Sequence, residues 1–96
     1  MAKLILSVDG QVLKEYTLSK ERTLIGRKAH NDIQIDNLAV SGEHAVLQMA
    51  ASDVFIEDLN STNGTYINGT QIRTDQVLHD GDLLSLGGLE LRFVQH

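Results

Sequence analysis

Arg27, Ser41, His44 and the run Ser61-Thr62-Asn63-Gly64 are the residues of this chain whose types and neighbours point to chemistry. Arg27 follows Gly26 at the end of the apolar run TLIGR, where glycine lets the backbone turn and the side chain reach across a loop. Its planar guanidinium matches a phosphate or carboxylate through parallel hydrogen bonds, which the point charge of Lys28 does not. Ser41 stands three residues before His44, ahead of the run HAVLQMA. Such a pair serves either as nucleophile and base or as two side chains that pin a loop. No Gly-x-Ser-x-Gly elbow accompanies it, so the pinning role is favoured, with His44 donating to a backbone carbonyl and fixing the loop that presents Ser41.

The segment DLNSTNGTYINGT, residues 58–70, carries Asn-Gly twice, and Asn-Gly is the strongest short-range signal for a tight hairpin turn. Asn68-Gly69 lies between TYI and TQI and is expected to be such a turn, of type I′. Asn63-Gly64 follows two hydroxyl residues and raises the question of a site. A calcium loop counted from Asp58 fails, because Asn63 stands where the obligatory glycine belongs and Gly69 where the closing glutamate belongs. No metal ligand set is therefore expected.

Four of the eight Lys and Arg residues, Lys20, Arg22, Arg27 and Lys28, fall between positions 20 and 28, and the next is Arg73. On clustering alone this is a solvated edge. The net charge of −5 speaks against a general affinity for nucleic acid or anionic membrane, so any bound anion must be captured locally. The absence of cysteine removes disulfides and thiolate metal sites. No apolar run approaches the roughly 18 residues of a membrane span, and the N-terminal stretch is too short for a signal-peptide core. The expected location is the cytoplasm.

The elements that must position these residues read as β throughout. Short runs with period-two alternation recur between turn signals about every ten residues, and nothing is long and periodic enough for a helix. LILSV and QVLKEY make a hairpin about Asp9-Gly10. RTLIGR, DIQI, HAVLQMA and VFIEDL follow, with Val54 and Ile56 on one face, and then TYIN, TQIR, DLLSLG and LELRFVQ. The 96 residues form one domain, long enough to bury roughly 60 to 68% of its unfolded surface. A single sheet would leave an apolar face wet, so two packed antiparallel sheets are expected, a β-sandwich.

Gly26-Arg27, Ser41-x-x-His44 and Ser61-Thr62-Asn63-Gly64-Thr65 stand in the order and at the spacing of the forkhead-associated (FHA) domain, which this chain resembles from TLIGR to DGDLLSLGG. Each motif alone is weak, but three in order inside an all-β chain of this size are specific. The look of the loops resembles bacterial members. The resemblance implies a sandwich of about eleven strands whose loops at one end bind phosphothreonine in an extended peptide, without catalysis, metal or cofactor. It places Arg27 and Ser41 on the phosphate, Thr62 on the phosphate or the phosphothreonine methyl, and Asn63 on the peptide backbone. Lys28, Gly42 and Ser61 become additional contact positions, and Gly26, His44 and Gly64 shape the loops. The implied partner is a phosphothreonine-containing protein in Ser/Thr-kinase signalling, bound by a monomer.

Gly42 departs from the family pattern, which often has Arg, Lys or Asn there and gains a donor from it. Glu43 beside it is expected to repel acidic peptides, with Lys28 or His30 compensating. Gly42 also favours a second reading, a phospho-independent interaction or self-assembly module on the same fold. A small hydrolase built on Ser41 and His44 is disfavoured, because no oxyanion site or third member is identifiable.

Overall fold

The computed structural model describes residues 1–95, and among them it contains eleven strands and no helix. The strands are β1 (Ala2–Val8), β2 (Gln11–Leu18), β3 (Arg22–Gly26), β4 (Ile33–Gln34), β5 (Ala45–Ala50) and β6 (Asp53–Asp58), then β7 (Tyr66–Ile67), β8 (Thr70–Gln71), β9 (Gln76–Val77), β10 (Leu83–Leu86) and β11 (Leu89–Gln95). One sheet has the order β2-β1-β11-β10-β7-β8 and the other β4-β3-β5-β6-β9.

The alternation that marks the strands in sequence is what buries one face of each. Leu4 and Leu6 of β1, Leu84 and Leu86 of β10, and Leu91 and Phe93 of β11 point inward from the first sheet. Ile25, Ala45, Leu47, Val54 and Ile56 meet them from the second. Fully burying each large apolar side chain contributes about 1.5 to 3 kcal/mol, so this shared core is the rigid base on which the loops stand.

The tight turns are where the asparagines, aspartates and glycines fall. Asp9 and Gly10 have φ of 51° and 81°, and Asn68 and Gly69 have φ of 50° and 86°, the double positive φ of a type I′ hairpin. The other Asn-Gly pair is different: Gly64 has φ of 84°, but Asn63 is not among the residues with positive φ. The two pairs are therefore different structures, and only the second is the expected two-residue hairpin turn.

Two features depart from the sequence expectation. β4 runs parallel to β3, pairing Ile33 with Ile25 and Gln34 with Gly26, so the second sheet is mixed rather than antiparallel. Asp32 accounts for this: its carboxylate accepts the outward amide of Leu24 at 2.8 Å and takes the Lys20 ammonium as an ion pair. That contact brings the chain back beside β3 one residue before pairing begins, and with only two pairs to make, a six-residue return suffices. The second departure is β9, whose two residues close the edge beside Phe55 and Ile56 and which no alternating run announces.

Candidate functional site

Three loops carry the residues singled out above: residues 27–32 after β3, 35–44 before β5 and 59–65 after β6. Backbone hydrogen bonds lace the first two together, Arg27 N–H to Ser41 O at 2.9 Å and Lys28 N–H to Gly42 O at 3.3 Å. The approach is so close that a Cβ on Gly26 would stand 2.3 Å from Gly42 O and 2.8 Å from Asn31 Nδ2. Only glycine fits there.

Asn31, which belongs to none of the sequence motifs, is buried behind this junction. Its Nδ2 donates to Lys28 O at 2.8 Å and Gly42 O at 2.7 Å, a second donor to each beside the backbone amides of Asn31 and Lys28. Its only sequence signal is that of a turn-prone residue in a polar loop.

His44 is wholly buried and joins the second loop to the third. Its Nδ1 accepts the Ser41 amide at 3.1 Å, so the ring proton resides on Nε2, which donates to Gly64 O at 2.9 Å. The imidazole is thus neutral and committed at both nitrogens, and neither nitrogen bonds the Ser41 hydroxyl. The ring bridges the Ser41 amide and the Gly64 carbonyl, and the Ser-His pair is not arranged as nucleophile and base.

The Ser41 hydroxyl instead accepts the Thr62 amide at 3.0 Å, leaving its own proton for a ligand. Asn63 Nδ2 donates to Ala39 O at 2.8 Å, a second tie between the second and third loops. Arg27, Ser41, Gly42, Thr62 and Asn63 all line one recess of about 240 Å³, with Leu38, Ala39 and Val40 completing its wall. Among the described residues no carboxylate lies within ion-pair distance of the Arg27 guanidinium. Glu43, expected to repel acidic peptides, is paired with His30 at 2.6 Å.

Two of the additional contact positions lie outside the recess wall. The Lys28 stem passes over Gly42, with Cε 3.0 Å from where a Cβ there would stand. Ser61 turns into its own loop, donating to Asp58 Oδ1 at 2.6 Å and accepting the Gly64 amide at 3.0 Å. Gly64 has a positive φ, and Gln71 Nε2 lies 2.7 Å from where a Cβ on it would stand, which fits the loop-shaping role expected of it.

Asp58 anchors that loop at the end of β6. Its carboxylate accepts the Ser61 hydroxyl and the Thr65 hydroxyl, each at 2.6 Å, and the Ser61 amide at 3.1 Å. Burial pushes its pKa up, but these three hydrogen bonds outweigh burial and hold the carboxyl below its ordinary value. A group with a lowered folded pKa stabilises fully above the unfolded value, about 3.9, and the gain disappears as pH falls through the folded one. Asp58→Asn is therefore expected to be less stable than wild type at pH 7, with the gap closing as the pH is taken down into acid below the unfolded carboxyl's value of about 3.9. Urea melts at pH 7 and in that acid range check this; a gap independent of pH would show that the charge is irrelevant.

The Asn-Gly contrast gives a second expected result. Asn68 holds a positive φ, donates to Asp82 Oδ1 and accepts the Leu83 amide, both at 3.0 Å. Asn68→Ala should lower stability by about 1 to 2 kcal/mol with peptide affinity kept, from the strained turn and the lost bonds. Asn63→Ala should do the reverse, costing affinity about tenfold, with a smaller stability loss of up to about 1 kcal/mol from its broken exposed bond to Ala39 O. Thermal melts paired with peptide titrations separate the two, and equal behaviour of both variants would contradict the assignment.

The arrangement matches a known family as a whole. The family model described as FHA domain matches residues 23–87, more than half of the chain. The chain belongs to the FHA domain family.

Among curated FHA relatives, the transcriptional regulatory protein EmbR of Mycobacterium tuberculosis is 37% identical over 78 residues, 81% of this chain and 20% of EmbR. The oxoglutarate dehydrogenase inhibitor of Corynebacterium glutamicum is 33% identical over 79 residues, 82% of this chain and 54% of the inhibitor. This FHA domain thus spans between a fifth and about half of these bacterial proteins. Solved structures agree along the whole fold. One from a study of phosphothreonine-dependent FHA domain interactions superposes with a TM-score of 0.90 at 30% identity, over 99% of this chain and 96% of that one. EmbR of M. tuberculosis in complex with a low-affinity phosphopeptide gives 0.89 at 34%, over 97% of this chain and 24% of that one.

Proposed function

We propose that this FHA domain is a phosphothreonine-dependent peptide-binding module of Ser/Thr-kinase signalling, without catalysis. The observation that carries the reading is the convergence of Arg27, Ser41, Thr62 and Asn63 on one recess whose guanidinium has no carboxylate partner among the described residues.

A phosphothreonine brings a charge of roughly −1.5 to −2 and three strong acceptors. Arg27 supplies the charge and a planar fork, Ser41 a hydroxyl proton directed by its bond to the Thr62 amide, and Asn63 an amide beside them. Charge-assisted bonds of about 1.5 to 3 kcal/mol each make a few such contacts enough for transient binding. The net charge of −5 does not oppose this at physiological salt, where the screening length is about 8 Å and acids outside the recess act weakly. Thr62, at the mouth, contacts either phosphate or the phosphothreonine methyl, which gives phosphothreonine an advantage over phosphoserine.

Gly42 supplies no side-chain donor, and that position is what favours a phospho-independent module instead. Isothermal titration with one peptide in phosphothreonine, phosphoserine and unphosphorylated forms decides between the two. Binding in that descending order supports the proposal, and equal heats for the phosphorylated and unphosphorylated peptides would overturn it.

A further inference from the structure

The face of the second sheet that is turned away from the core is less polar than a solvated sheet face ordinarily is. Across β3, β5 and β6, Leu24, Val46 and Glu57 lie opposite one another in one row. In the next row Arg22, Gln48, Phe55 and Val77 of β9 do the same. Their strand neighbours Ile25, Leu47 and Ile56 point into the core, so these rows point outward. Val46 is buried without belonging to the core cluster, and Leu24, Phe55 and Val77 are each half-buried. Four apolar side chains, one of them aromatic, thus adjoin on a rigid sheet, where scattered single ones would be ordinary.

The charges of these two rows are Arg22 and Glu57, both exposed, and neither is in an ion pair among the described residues. Strands about 4.8 Å apart and rows about 6.7 Å apart set them at opposite corners of a rectangle, with Leu24 and Phe55 at the other two corners. Val46 and Gln48 lie between. When two copies face each other across a two-fold axis close to the Leu24–Phe55 diagonal, Arg22 of each meets Glu57 of the other. The same axis sets Leu24, Val46 and Phe55 against their own counterparts, and Gln48 against an amide that can both donate and accept. The strands of the two copies then cross steeply, near the orthogonal class of sheet packing. The patch is complementary to itself.

We infer that this face is a self-association surface, through which two copies of the domain pair by reciprocal Arg22–Glu57 ion pairs around a centre of Leu24, Val46 and Phe55. Arg27 lies five residues beyond Arg22, about 16 Å along the strand direction and on the end loops, so both recesses stay open in the pair. The inference does not depend on what the recess binds. So few residues a side, against the roughly 20 to 30 of a stable interface, make the dimer weak, with a Kd of about 100 μM, and the monomer expected from the sequence is its dilute form.

Sedimentation equilibrium between about 10 μM and 1 mM tests this. Wild type should pass from monomer to dimer across that range. Arg22→Glu and Glu57→Arg should each weaken self-association at least about tenfold, because each sets like charges opposite one another. An equimolar mixture of the two variants should pair within about threefold of wild-type strength, since each offers the charge that the other needs. That rescue also shows that both variants are folded. Wild type that stays monomeric at the highest concentration, single variants that associate as wild type does, or a mixture that stays monomeric would each overturn the inference.

Discussion

Arg27→Ala is expected to weaken binding of a phosphothreonine peptide by about 100-fold or more while changing folding stability by less than about 0.5 kcal/mol. The asymmetry follows from where the side chain's interactions are. The Arg27 backbone is fully used, its amide on Ser41 O and its carbonyl on Gln34 Nε2, and both bonds survive the substitution. The guanidinium makes no ion pair among the described residues, so its removal breaks nothing that holds the fold. In the complex it would make two charge-assisted bonds to one phosphate, and losing about 3 kcal/mol or more there is two decades in Kd. Arg27→Lys should recover only part of the loss, because an ammonium lacks the fork. Titration calorimetry with parallel urea melts checks all three proteins. An affinity loss below fivefold would mean that the phosphate is not held here.

His44→Ala is the counterpart, an expected loss of stability that drags binding with it. The ring fills a wholly buried space and is the strut between the Ser41 amide and Gly64 O. Removing it leaves a cavity and unpairs the buried Gly64 carbonyl and the half-buried Ser41 amide, together about 3 to 5 kcal/mol. Against the 5 to 15 kcal/mol of a typical domain this is severe, and at this size it lowers the melting temperature by roughly 15 °C or more. The recess should loosen even below the new melting point, since the loops bearing Ser41 and Asn63 lose their common support. Calorimetric melts, with peptide titration at low temperature where the variant is folded, test both halves. A stability loss under about 1 kcal/mol would show that the ring is not the strut.

Much of this is legible in the amino-acid sequence because it is local. Alternation in LILSV, VFIED and LELRFV reports burial of one face and Asn68-Gly69 reports a turn geometry, whereas Gly26, read in the sequence as a residue that lets the chain turn, is required by a close backbone approach that only the fold reveals. Strand direction is not local: Ile33 and Gln34 alternate identically in a parallel or an antiparallel pair, and Asp32, which decides between them, reads as one more loop acid. Two-residue β9 is too short for any period to register. In the site, motif order points to Arg27, Ser41, Thr62 and Asn63 and to the loop-pinning part of His44. Asn31 and Asp58 escape a sequence reading because their importance comes from carbonyls and hydroxyls brought to them by folding, Lys28 O and Gly42 O for one and Ser61 and Thr65 for the other. Ser61 looks like a ligand contact by its place in the motif, yet its hydroxyl is turned to Asp58 and Gly64.

The most direct test of the central claim is a two-dimensional amide NMR titration of the domain with a phosphothreonine peptide and its unphosphorylated twin. The expected map has its largest shifts in residues 26–28, 38–43 and 61–64, and in the Arg27 guanidinium, with the phosphorylated peptide alone. The larger groove between β8 and β9, lined by Ile67, Arg73, Val77 and His79 among others, should stay silent. Shifts centred on that groove, or the same map from the unphosphorylated peptide, would contradict a phosphate site built on Arg27 and Ser41.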